Sequence, residues 1–243
     1  MTIHCEYAGR AIVVWVFAFL SLLAVAASAD QELTLVRDGK SDYTIVIPDT
    51  ATPVERTAAR ELSEHLAKVT GAALPVVSEA DSLDKRPRIV VGDGKLTRKL
   101  LPEFEPAALP PDAIVIKSTG RDLVLAGHPR RGSLYAVYTF LEDTVGIRWW
   151  TADETSIPER PTLVVPQLDI TYAPKVADRA VRYLHLSDGC FTNHSLVTED
   201  EQRAMGVFSA RMRLNGHDHY SIPEEYGGPN GLIGWVHTFY QIN

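Results

Sequence analysis

The sequence predicts an α+β fold, a mostly antiparallel sheet with two helices packed on one face, and three observations lead there. Short apolar or alternating runs recur between Leu33 and Ile170, bounded by turn residues. Two longer segments instead repeat apolar residues at helical spacing. One strand pair is joined directly through Ser118-Thr119-Gly120-Arg121, a connection short enough only for antiparallel neighbours. With 243 residues, 45% hydrophobic and 23% charged, the chain has the composition of a folded protein, which excludes disorder and collagen-like structure. Its net charge of −7 disfavours a phosphate backbone as partner, so no nucleic-acid role is expected.

The first thirty residues carry targeting information. Arg10 supplies a positive start, Ala11–Val25 is apolar apart from Ser21, and Ala27-Ser28-Ala29 offers a small-x-small cleavage site. The reading is a signal peptide over residues 1–29, with the exported chain beginning at Asp30 and ending up periplasmic or extracellular. An uncleaved anchor is the competing reading, against which the stretch is short and its flanks weakly charged. No second apolar run approaches spanning length, so no stable membrane span is expected after cleavage. Cys5 leaves with the signal, and Cys190 then has no disulfide partner. It reads as a small buried apolar residue, or alternatively as a nucleophile beside Gly189.

Leu33–Val36 and Tyr43–Ile47 are the first strands. Thr52-Pro53-Val54-Glu55 is a capping box with proline at the first helical position. Behind it, Val54, Ala58, Leu62 and Leu66 form one apolar face; Glu55, Arg60, Glu61 and Lys68 lie opposite, and Gly71 ends the helix. Leu74–Val77 and Arg88–Val91 are two further strands, and Asp112–Lys117 and Leu123–Ala126 make the hairpin. Ser133–Val145 is the second helix, so apolar that burial on more than one side is expected. After Gly146, a strand starts at Ile147-Arg148-Trp149-Trp150, and Thr162–Val165 and Leu168–Ile170 complete the domain, placed at residues 30–175.

Residues 176–243 differ in style. Ala180–Leu184 is a strand candidate, and Thr198-Glu199-Asp200-Glu201 is a second capping box opening a helix that ends near Leu214-Asn215-Gly216. One strand, one helix and a glycine- and proline-rich loop cannot bury a core, so this tail reads as the opening of something longer.

Familiar catalytic signatures fail. Gly92-Asp93-Gly94-Lys95-Leu96-Thr97 follows a strand, but it lacks the glycine and hydroxyl positions of dinucleotide and phosphate loops and reads as a tight turn. GxSxG, HExxH and CxxC are absent from the sequence. Asn193-His194-Ser195 is a glycosylation sequon, meaningful only in a eukaryotic host. His217-Asp218-His219 with His237 invites a metal reading, but the spacing matches no standard zinc site, and polar groups lining a cleft are the preferred account. No metal or other cofactor is expected. The basic run Lys85, Arg86, Arg88, Lys95, Arg98 and Lys99 reads as a solvated face. Trp149 and Trp150 could stack on a sugar ring, or one could enter the core and the other a domain contact.

The order of several segments resembles the N-terminal domain attached to alpha-glucuronidases, beta-hexosaminidases and related glycoside hydrolases. The echoes are Ala59-Arg60-Glu61-Leu62 through Thr70-Gly71, Leu74-Pro75-Val76, Ile89-Val90-Val91-Gly92, the run Gly127–Val137 and Leu141–Trp149. Arg211–Gly216, Tyr226-Gly227-Gly228 and Val236–Tyr240 resemble a bacterial family (domain of unknown function 4838) in which that domain precedes a glycosidase-like barrel. The resemblance runs from about Glu32 to Asn243 and implies an accessory α+β domain followed by the truncated start of a (β/α)8 barrel. It implies a carbohydrate substrate, polysaccharide or glycan, and hydrolysis of O-glycosyl bonds.

A full barrel needs about 250 residues, and its two carboxylates are expected on later strands, beyond this chain. No catalytic residue is therefore assigned, and the adjacent Glu224 and Glu225 read as solvated. The resemblance places Arg182, His185, Asn215, His217, Tyr226 and His237 at the open end of the first barrel strands, as substrate contacts. Arg182 could grip a sugar carboxylate or form a structural ion pair. The alternative function is a non-catalytic carbohydrate-binding or interaction module.

Overall fold

Helix α1 (Pro53–Thr70) has both of the ends its sequence signals. Thr52 Oγ1 accepts the Glu55 N–H at 3.2 Å, and Glu55 Oε2 accepts the Thr52 N–H at 2.7 Å. Gly71, at φ 76°, closes the helix by donating to the Ala67 carbonyl at 2.8 Å. These bonds satisfy backbone groups that a helix terminus otherwise leaves orphaned. The computed structural model describes residues 32–82, 86–180, 198–216 and 222–230. The expected signal segment, Cys190, the sequon and most of the strand expected at Ala180–Leu184 lie outside them.

The described residues form ten strands: β1 (Leu33–Val36), β2 (Thr44–Ile47), β3 (Val76–Ser78), β4 (Arg88–Val91), β5 (Ile114–Thr119), β6 (Asp122–Gly127), β7 (Arg148–Trp149), β8 (Thr155–Ser156), β9 (Leu163–Val165) and β10 (Asp169–Tyr172). Six of them form the main sheet in the order β10-β5-β6-β4-β2-β3; β1-β9 and β7-β8 are separate ribbons. The class is α+β as expected, and four of the seven pairings are antiparallel. Within the main sheet, however, β6-β4, β4-β2 and β2-β3 are parallel. The reason is local: α1 returns the chain between β2 and β3, and a helical crossover sets both strands in one direction.

Two helices cover one face, as expected. Helix α3 (Gly132–Thr139) packs on α1, β5 and β6, and its first turn sits against the end of β6. Gly127 and Gly132 make this approach possible: a Cβ on Gly127 would lie 2.8 Å from Gly132 Cα and 2.2 Å from the Ala113 carbonyl oxygen. The segment expected as one helix to Val145 changes winding at Phe140. Phe140–Val145 is a π-turn, closed where the Gly146 N–H reaches back five residues to the Leu141 carbonyl at 3.0 Å. Phe140, Leu141 and Val145 stay buried, and Asp143 faces outward.

The opposite face is covered too. Gly92 turns at φ 103°, and the residues expected as a tight turn continue into a short helix, α2 (Lys95–Leu100). Its first N–H groups are met from outside, because the Glu79 carboxylate accepts those of Lys95 and Leu96 at 3.2 and 2.8 Å. Leu101 and Phe104 behind it pack on Val90, Val115, Val124 and Ala126 as a second apolar cluster.

In the tail, α4 (Glu199–Arg211) carries the second capping box, with Thr198 Oγ1 accepting the Glu201 N–H at 3.2 Å. A single 3-10 turn, Glu224–Tyr226, follows. Phe208, Ala210, Ile222 and Tyr226 join the cluster under α1 and α3, so the described part of the tail borrows the domain's core.

Candidate functional site

Two buried carboxylates stand where the tail meets the domain. Asp112, at 1% exposure, precedes β5 with φ 60°, a conformation in which a short acidic side chain can turn back on its own loop. Its Oδ1 accepts from Arg131 Nε at 2.7 Å. Its Oδ2 accepts from Arg179 at 2.8 Å and from Asn215 Nδ2 at 2.5 Å. Arg131 spends its other donors on the Gly228 carbonyl (2.7 Å) and Asn230 Oδ1 (2.6 Å). One carboxylate thus gathers the N-cap residue of α3, the linker after β10 and the turn after α4, and Arg131 adds the loop at 228–230. Burial works to raise the Asp112 carboxyl, but the hydrogen bonds from Arg131 and Arg179 hold it below its ordinary value.

Glu61, at 3% exposure, is the second hub. Its Oε2 accepts from Arg211 of α4 at 3.0 Å and from the Tyr138 hydroxyl at 3.2 Å; its Oε1 accepts from the Tyr226 hydroxyl at 3.3 Å. Burial pushes this carboxyl up, and Arg211 and His65 outweigh it, leaving a net lowering. His65 Nδ1 lies 2.7 Å from the Glu61 carbonyl oxygen; a carbonyl only accepts, so this nitrogen carries the hydrogen. Burial holds the imidazole below its ordinary range. Trp149, 4% exposed, closes the pocket: the rings of Tyr138 and His65 meet it edge-on at 5.5 and 5.7 Å, and the Arg211 guanidinium lies 5.9 Å from its ring centre.

Helical spacing had put Glu55 and Glu61 on a polar face, and the structure corrects the inference that such a face is wet. Glu61 is covered by α4 and the turn at Glu224–Tyr226. Glu55 is covered by the β4–α2 loop, whose Asp93 N–H its carboxylate accepts at 2.8 Å.

Between the hubs and the free edge of the sheet lies a cleft of about 460 Å³. Ile114, Ile170 and Tyr172 floor it, and Thr139, Asp143 and Arg213 stand at its polar side.

Of the residues expected to touch substrate, Asn215 and Tyr226 are described, and both are buried. Asn215 donates to Asp112 and to the Ala177 carbonyl (2.9 Å) and accepts the Arg179 N–H (2.8 Å), so both its amide hydrogens serve the seam. Tyr226 is held between Glu61 and Arg60, whose guanidinium donates to its hydroxyl at 3.1 Å. Arg182, His185, His217 and His237 lie outside the described residues. Trp149 is the inward tryptophan and Trp150 the exposed one, its indole N–H donating to Ser156 Oγ at 2.8 Å. Glu225 pairs with Arg203 on the surface. Among the described residues, no cluster of three or more His, Cys, Asp or Glu could hold a metal, and no helix is long and apolar enough to cross a membrane.

Sequence reasoning missed Asp112, Arg131 and Arg179. The signal was an arginine at the very start of an otherwise apolar helix, a charge that needs a buried partner.

A family GH115 4-O-methyl-alpha-glucuronidase with specificity for decorated arabinogalactans superposes over 77% of this chain with a TM-score of 0.52 at 17% identity. CpGH84D superposes over the same share with a TM-score of 0.53 at 11% identity. The fold is glycosidase-like. The chain spans 25% of the first neighbour's length and 28% of the second's, so the likeness concerns about a quarter of each. No family model and no curated protein matches the chain.

Proposed function

We propose that this chain is the leading part of an exported glycoside hydrolase-like protein that cleaves O-glycosyl bonds in polysaccharide or glycan. In this reading, residues 1–29 are the signal peptide, and 30–175 form an accessory domain of the hexosaminidase and alpha-glucuronidase type. Residues 176–243 then open a catalytic barrel of the kind found in the bacterial family described as domain of unknown function 4838. The observation that carries it is the Asp112 hub, in which one buried carboxylate ties the linker (Arg179) and the turn after α4 (Asn215) to the domain. An accessory domain that positions a barrel needs such a fixed joint, because barrel sites assemble from several strand ends and tolerate little displacement. The acid and the nucleophile or base are supplied by later barrel strands. Arg182, His185, Asn215, His217, Tyr226 and His237 remain the substrate contacts of this reading, and Asn215 and Tyr226 also bond within the joint.

The test is hydrolysis of aryl glycosides. The 243-residue chain should show none, and a longer protein carrying the remaining barrel should turn over. Activity of the chain alone would overturn the placement of the catalytic groups. Glycan binding without cleavage by the longer protein would leave an interaction module in place of an enzyme.

A further inference from the structure

The cleft at the sheet edge is bounded on one side by Asp112 and Arg179 of the first hub, and on the other by residues that neither hub uses. In the β10-β5 register, Tyr172 stands opposite Ile114 and Ile170 opposite Ile116. Ile114 and Ile116 belong to the face that α1 and α3 cover, so Ile170 and Tyr172 lie on that same face. Ile170 is packed against the core, whereas Tyr172 lies past the helical cover and keeps 53% of its surface exposed. Above it, Thr139 and Asp143, four residues apart across the α-to-π junction, line the same cleft. Asp143 is exposed and has no partner among the described residues.

Arg213 is paired with Glu142, and Asp112 with both Arg131 and Arg179, which leaves one excess positive charge in the buried hub beside the cleft. What remains is an aromatic ring on an apolar floor, a hydroxyl at Thr139 and one unpaired carboxylate, in about 460 Å³ of space. That volume lies within the range of small-molecule sites, roughly 300–1,000 Å³. A pyranose ring matches this set: its C–H face stacks on an aromatic, and its hydroxyls donate to a carboxylate. Asp143 offsets the excess charge of the Asp112 hub, so the cleft is close to electroneutral and the fit is to an uncharged sugar.

The geometry points to a neutral-sugar subsite on the accessory domain, with Tyr172 as the stacking platform and Asp143 as the hydroxyl acceptor. It rests on the carbohydrate-active reading above and adds a second contact, away from the barrel, by which a polysaccharide chain is held.

The test is a titration of the 243-residue chain with methyl glucopyranoside, methyl galactopyranoside and methyl glucuronoside, followed by ligand-observed and amide NMR. The two neutral glycosides should perturb amides of β10 and of the 139–143 turn. Tyr172→Ala should weaken that binding by roughly tenfold, and Asp143→Asn should weaken it by less. Tyr172 is exposed, so Tyr172→Ala should leave the thermal transition in place, and the melt verifies that the variant is folded. Unchanged affinity in both variants, perturbation of other amides, or tighter binding of the glucuronoside would overturn the subsite. Aryl monoglycoside hydrolysis by the longer protein keeps the two readings apart: it should be unaffected by Tyr172→Ala, and its absence would count against the enzyme reading alone.

Discussion

Beneath α1 and α3 the contacts are hydrocarbon: Leu62, Leu66, Leu123, Leu125 and Leu134 are completely buried and need no partner beyond close packing. In the seam between those helices and the tail, Phe208, Ala210, Ile222, Tyr226 and the partly buried Val207 extend that core among the described residues. The rest of the seam is Asp112, Glu61 and the arginines, tyrosines and asparagine around them. Apolar burial does not titrate, whereas a buried carboxylate is stabilising only while it is ionised and its donors are in place. The two regions should therefore fail differently: removal of one charge should open the seam while the sheet stands.

The strongest way to break this contrast is Asp112→Ala, which leaves Arg131 buried without its counter-ion and should cost about 3–5 kcal/mol. Amides around Phe208–Leu214 should lose hydrogen-exchange protection while those of β4 and β6 keep theirs. Uniform loss would show that joint and domain unfold as one. Leu123→Ala probes the other region and should cost about 2–5 kcal/mol in chemical denaturation, lowering protection everywhere because the cavity lies in the shared core. Glu61→Gln keeps the shape of the second hub but removes its charge. A loss of about 1–3 kcal/mol is expected, concentrated in α4, whose Arg211 loses its ion pair.

Acidification tests the same groups without mutation. Folded-state values below the ordinary ones mean that Glu61 and Asp112 contribute stability above the usual carboxylate range and lose it as pH falls through their lowered values. His65, held neutral by burial, contributes stability that starts to decline earlier, once pH drops below about 6.5. A pH series of tail amide protection should therefore fall in two stages, with β4 and β6 following only at lower pH. An unchanged tail down to pH 3 would remove the carboxylates from the account. The smallest effect belongs to Trp150→Ala, within about 0.5 kcal/mol, since 60% of that side chain is in water.

Much of the local structure was legible because its causes are local. Thr52 with Glu55, and Thr198 with Glu201, are capping boxes at the spacing that hydrogen bonding demands, and Gly71 supplies the left-handed closure. The hairpin at Gly120 and the strand segments followed from alternation and turn chemistry. The candidate site was far less legible. Arg131, Asp112, Arg179 and Asn215 are remote in the chain, and nothing in the periodicity of any one segment tells which donors a carboxylate will meet. Glu61 shows the same limit from the other side: its helical position reads as polar surface until α4 is laid across it.

By itself, then, the sequence determined what short-range bonding dictates: the caps and extent of α1, the start of α4, the hairpin, and an α+β class in which two helices shield a sheet. Tertiary structure decided the rest. The parallel order β6-β4-β2-β3, the π winding after Thr139, the burial of Glu55 and Glu61, and the meeting of four segments on Asp112 all depend on residues brought together only when the chain folds. The physical reason is range. A hydrogen bond spanning three residues leaves a pattern in the sequence, whereas one spanning a hundred, as from Asn215 to Asp112, leaves none.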